Sequence, residues 1–199
     1  MRNINWIGII DEKEIEKYQK GNLDSNAVKM KMPKNMNQMM IKSMPFTILA
    51  FAIMMLTGHL KEHIYNKPII YREYVFIGLL IGIALLLVHE LLHAIVYPKG
   101  VATYIGIIKP FTFCSLASYP LSKSRFIVMC LLPYILGIIP FIIFWILPAN
   151  YSEINSIFWA IALMGIASPS PDAYNVYQVI KQVPKGKKVQ FYVDDTYYI

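Results

Sequence analysis

Two histidines four residues apart, with a glutamate beside the first, are the part of this chain best placed to do chemistry: His89-Glu90-Leu91-Leu92-His93. On a helix, residues i and i+4 share one face, one above the other, so both imidazoles can reach a single metal ion. Zinc is the ion that this pairing suits. Glu90 is offset around the helix by about 100°. It is therefore placed to take a proton from a water that the metal activates, and not to bind the metal itself. The bland reading is a polar helix end whose side chains reach interfacial water.

A catalytic zinc usually has three protein ligands and one open position. Asp172, in Ser168-Pro169-Ser170-Pro171-Asp172, is the candidate third ligand. The bland alternative is an acid at a helix end. Asn175 follows one helical turn later. It can orient Asp172 or donate to an oxyanion, or simply be a polar interfacial residue. His59 and His63 also have i,i+4 spacing, but the topology below puts them on the outer side.

What must position these residues is a set of membrane spans. The chain has 199 residues, 56% of them hydrophobic and 16% charged. An average soluble domain is roughly 45–50% apolar and about 25% charged. The excess gathers in apolar blocks at 44–56, 74–97, 126–147 and from about 158. The fold class expected is an all-α membrane protein with about four transmembrane helices. A short β-hairpin or a re-entrant loop is expected between spans two and three, where VATYIGIIKPFTFCSLASYP is rich in β-branched and aromatic residues. Residues 1–42 read as an N-terminal cytoplasmic tail with a short surface helix in DEKEIEKYQK. Residues 43–180 read as the membrane-embedded domain, and 181–199 as a C-terminal cytoplasmic tail that alternates enough to be a strand.

Depth agrees with this ligand set. Counted from Tyr74, His89 lies about 22 Å along span two and His93 about 28 Å. Counted from Phe158, Asp172 lies about 21 Å along span four. Each ionisable residue at a span centre costs roughly 2.5–3.5 kcal/mol on insertion scales, so His89, Glu90 and His93 need a metal or polar partners. The prolines would open the backbone beside Asp172, which membranes tolerate only where it is buried in protein or lines a wet cavity.

Charge sets orientation. Sixteen of the nineteen Lys and Arg fall on the inner side if the N-terminus is cytoplasmic and four spans follow. Both termini are then cytoplasmic, in a multi-pass cell-membrane protein. The net charge of +7 flanks apolar blocks, which fits contact with membrane lipid head groups and not nucleic acid. The first segment turns charged before any long apolar core, so no signal peptide is expected and the first span serves as signal anchor. Cys114 and Cys130 lack the spacing of a thiolate zinc site and are expected as reduced thiols. MKMPKNMNQMMIKSM is better explained by flexible Met at a membrane boundary than as a copper-binding box.

HELLHA in one span, followed by a Pro-rich segment with an Asp, resembles the putative zincin peptidase family of small bacterial membrane proteins. More distantly it resembles the site-2 proteases, which cleave within the membrane. The resemblance covers roughly residues 45–180. Site-2 proteases carry their third ligand in a segment of the kind N-P-x-P-x-x-D-G. SPSPDAYN shares the prolines and Asp172 but lacks the preceding Asn and the following Gly. The resemblance implies zinc on His89, His93 and Asp172, with Glu90 as base, and proteolysis of a membrane or membrane-proximal protein. The segment 103–119 is a candidate edge strand for an extended substrate. Two readings compete: a non-catalytic scaffold or pseudo-protease that keeps the metal for stability, and a metal transporter. Span three has no polar residue of the kind a transporter needs.

Overall fold

The computed structural model describes residues 2–199. In chain order its elements are β1 (Asn3–Ile10), α1 (Ile15–Tyr18), β2 (Val28–Lys29), α2 (Met36–Tyr65), α3 (Arg72–Val96), β3 (Ala102–Ile108), β4 (Thr112–Leu116) and β5 (Leu121–Ser122). Then follow α4 (Lys123–Leu131), α5 (Ile135–Ile146), α6 (Ser152–Ala167), α7 (Ser170–Gln182), β6 (Lys188–Tyr192) and β7 (Asp195–Tyr198).

The expected all-α protein with about four transmembrane helices is not what forms. Among the described residues, seven strands build two sheets. Three helices are long and apolar enough to cross a membrane: Met36–Tyr65, Arg72–Val96 and Lys123–Ile146. The last joins α4 to α5 through a tight turn at Leu132–Tyr134. The expected fourth span falls short because α6 stops at Ala167 after 16 residues, against about 20 needed to span. Pro169, which has no N–H to continue the helical hydrogen bonds, falls at the break between α6 and α7. The extra strands come from the ends of the chain. NINWIGII, read as the start of a polar tail, is β1; β2, β6 and β7 also lie in the terminal segments.

The chain divides into two compact units. The first comprises residues up to Lys42, His89–Leu132 and Pro171–Ile199. Its three-stranded sheet has the order β1-β3-β4, with β1 parallel to β3 and β3 antiparallel to β4. The β1–β3 register slips between Trp6 and Gly8. Gly8 sits there at φ +74°, a left-handed conformation that glycine adopts without steric cost. The second sheet is antiparallel throughout, in the order β2-β7-β6-β5. Phe126, Met129 and Cys130 of α4 pack with Val179 of α7, Val189 of β6 and Tyr97 into this unit's main core. Ile10, Ile108, Cys114 and Leu116 form a smaller one on the first sheet.

The second unit comprises Ser43–Val88 and Pro133–Ser170. Helices α5 and α6 meet backbone to backbone. A Cβ added at Gly137 would lie 2.5 Å from the carbonyl carbon of Gly165, so only glycine allows this approach. Lys61 of α2 is fully buried and holds the C-terminal end of α5. Its ammonium donates to the Phe144 carbonyl, to the Leu147 carbonyl at 2.9 Å and to Asn155 Oδ1 at 2.7 Å. A cation at a helix C-terminus also meets the favourable end of the helix dipole. Outward-facing apolar side chains on α2 and α3 are left bare, among them Leu56 at 66% exposure and Phe76 at 63%.

Candidate metal centre

His89, Glu90 and His93 lie on the last two turns of α3, and all three are buried. As residues i and i+4, the two imidazoles stack one above the other, with ring centroids 4.8 Å apart. Their Nε2 atoms are 3.0 Å apart. The carboxylate of Asp172 completes a triangle, with Oδ2 at 3.3 Å from His89 Nε2 and 3.4 Å from His93 Nε2. Asp172 stands in the first turn of α7, where unpaired backbone N–H groups and the helix dipole favour a negative charge. Burial alone would raise its carboxyl. The neighbouring imidazoles overcome that and hold it below its ordinary value of 3.8.

His93 is oriented from behind. Its Nδ1–H donates to the Met129 carbonyl oxygen at 2.9 Å, which leaves the lone pair on Nε2, facing His89 and Asp172. Two imidazole nitrogens and a carboxylate converging at this range need a shared cation, either a proton or a metal ion, among them. A tetrahedral zinc with bonds of about 2.0–2.1 Å sets its ligand atoms roughly 3.3 Å apart. The observed edges of 3.0, 3.3 and 3.4 Å fit that figure, and two imidazoles with one carboxylate are a donor set that zinc accepts.

Glu90 is a second carboxylate in reach. Its nearest approach to His89 Nε2 is 3.9 Å, and its oxygen and the two histidine nitrogens lie within 4.8 Å of one another. Asp172 is nearer to both histidines, so the tighter triangle is His89–His93–Asp172, with the Glu90 carboxylate beside it.

Asn175 lies one turn beyond Asp172 on α7. Among the described residues, its Oδ1 is one of the buried polar atoms without a hydrogen-bond partner. It lines a cavity of about 420 Å³. The face of the first sheet contributes Ile108, Cys114 and Leu116, the second sheet Phe191 and Thr196, and the segment from Glu12 to Met39 the opposite wall. Sequence reasoning missed both this wall and the Met129 carbonyl. A backbone acceptor leaves no mark in the choice of residue, and nothing in residues 12–39 pointed toward the histidines.

His59 and His63 are exposed on α2, in the other unit. Cys114 and Cys130 are both buried and free. Burial, reinforced by the charge of Glu90, pushes the Cys114 thiol up to about 12, so it stays a protonated wall of the cavity and not a nucleophile.

A family model described as putative zincin peptidase matches residues 80–188, more than half of the chain, and takes in the two histidines, both carboxylates and Asn175. No curated protein and no solved structure matches the chain.

Proposed function

Because the chain belongs to the putative zincin peptidase family, we propose that it is a membrane-embedded zinc metallopeptidase that hydrolyses a peptide bond in a membrane or membrane-proximal protein. The observation that carries this reading is the triangle of His89 Nε2, His93 Nε2 and Asp172 Oδ2, with Glu90 beside it and outside it. His89, His93 and Asp172 are the proposed ligands. Bound zinc would supply a Lewis acid that polarises the scissile carbonyl and eases deprotonation of water.

The protein's own groups do the rest. Glu90 takes the proton of the attacking water and hands it to the leaving amine. The Met129 carbonyl holds the His93 ring so that Nε2 faces the site. Asn175, with its amide turned so that Nδ2 faces the substrate, donates to the oxygen that gains charge. Three protein ligands leave one position for substrate or water, which favours catalysis over a scaffold with a closed structural metal. β4 pairs with β3 on one side only, and its free edge suits an extended peptide.

Membrane embedding is supported by the three long apolar helices and by their bare outward faces, since large exposed apolar patches are rare on proteins in water. Both terminal segments belong on one side, because β2 from the N-terminal segment pairs with β7 near the other end. The Lys and Arg of residues 1–42 and 181–199 favour the cytoplasm for that side, and since three crossings alone would part the two ends, the chain from Ser152 to Gln182 has to return it there.

The test is the metal content of purified wild type beside His93→Ala, Asp172→Ala and Glu90→Gln. One zinc per chain, lost in the first two and kept in the third, supports the assignment. A wild type without metal, prepared without chelators, would leave a scaffold.

A further inference from the structure

We propose that the cavity beside Asn175 is a specificity pocket that receives one large apolar side chain of the peptide substrate next to the scissile bond. This rests on the metallopeptidase reading and adds what the site selects.

Cys114 and Leu116 are two residues apart on β4 and so point to the same face of the sheet. Ile108 lies on that face too, its strand partner being Thr112. Phe191 closes the floor from the second sheet, and Met32 faces it from the N-terminal segment. These five are among the apolar side chains that line a space of about 420 Å³, within the range of pockets that take small ligands or side chains. Charged lining is confined to Glu12, Lys13, Lys34 and Asp194.

Position joins this space to the chemistry. Asn175 lines it and stands one helical turn, about 4.5 Å of rise, from Asp172. A peptide whose scissile carbonyl is held by Asn175 therefore has an adjacent side chain within reach of the apolar floor.

The occupant is a side chain and not a lipid tail, because the space is bounded across from the sheet by the segment carrying Met32. That segment is itself fixed: the Met30 N–H donates to the Thr196 carbonyl at 2.9 Å, and the Lys31 N–H to Gln182 Oε1 at 2.8 Å.

The experiment measures binding of hydroxamates to the zinc-loaded full chain in detergent, by calorimetry. Acetohydroxamate reports the metal alone. The α-hydroxamates of N-acetylglycine, N-acetylleucine and N-acetylglutamate report the pocket. The leucine compound should bind roughly tenfold to a hundredfold tighter than the glycine one, and the glutamate compound should gain nothing. Cys114→Phe, which fills the pocket from the sheet, and Met32→Trp, which fills it from the loop, should erase the leucine gain while zinc content and acetohydroxamate binding persist.

Equal binding of the glycine and leucine compounds by wild type overturns the pocket, whatever the variants do. So does affinity that keeps rising with alkyl chains much longer than leucine, which marks a groove open to lipid. If acetohydroxamate itself does not bind, the metallopeptidase reading fails and takes the pocket with it.

Discussion

The His93 imidazole and the Met129 carbonyl are joined across two helices by a 2.9 Å hydrogen bond, so the terminal turn of α4 sets the direction in which the proposed ligand nitrogen points. Replacing the peptide bond between Met129 and Cys130 by an ester makes this carbonyl a weaker acceptor and leaves every side chain in place. Zinc affinity should fall roughly tenfold to a hundredfold. Unchanged affinity in a competition titration with a chelator would remove Met129 from the site.

Removing a proposed ligand and removing the proposed base should have separable effects. His93→Ala and Asp172→Ala should lose zinc. Glu90→Gln should retain it and lose about 10²–10⁴-fold in hydrolysis, the usual contribution of a positioned acid–base group. Zinc analysis paired with a peptidase assay reads both. A Glu90→Gln protein without metal would make Glu90 a ligand.

Asn175→Ala should leave zinc content unchanged and lower kcat by about 10²–10³-fold if its amide stabilises the developing charge. A change in KM with kcat preserved would instead assign Asn175 to holding the substrate.

Lys61→Met should weaken the fold without touching the metal site. It strips a donor from the carbonyls of Phe144 and Leu147 and from Asn155 Oδ1. Leaving such acceptors buried and unmet costs about 1–3 kcal/mol each. The thermal unfolding midpoint in detergent should drop while zinc content stays constant. An unshifted midpoint would mean that water replaces the ammonium.

A reporter that folds only in the cytoplasm should fluoresce when fused to either end of the chain. One bright and one dark fusion would contradict the β2–β7 pairing, because paired strands lie on the same side of a membrane.

The candidate centre was legible because its signals are local. The i,i+4 spacing of His89 and His93 needs only a helix, and a helix follows from a long apolar run. Asp172 was named by counting helical rise along a fourth span read as helical to that point; the chain instead breaks at Ser168–Pro169, and Asp172 stands in the first turn of α7. The sheets were harder to see. Asn3 pairs with Ala102 and Val28 with Tyr198, and no short window of sequence reports a partner that distant. NINWIGII is half apolar, but its neighbouring charges made residues 1–42 read as a solvated tail. The apolar run from 158 suggested a full span because hydropathy counts side chains, whereas the break at Pro169 lies in the backbone.

The pairing of β2 with β7 also sets an order of events during synthesis. Val28 leaves the ribosome long before its partner Tyr198. At roughly 5–20 residues per second, β2 waits on the order of ten to thirty seconds for the strand that completes its sheet. Asp172 too arrives well after His89 and His93. The unit that carries the candidate centre therefore closes late in translation, and its proposed ligand set stays incomplete until the chain is nearly made.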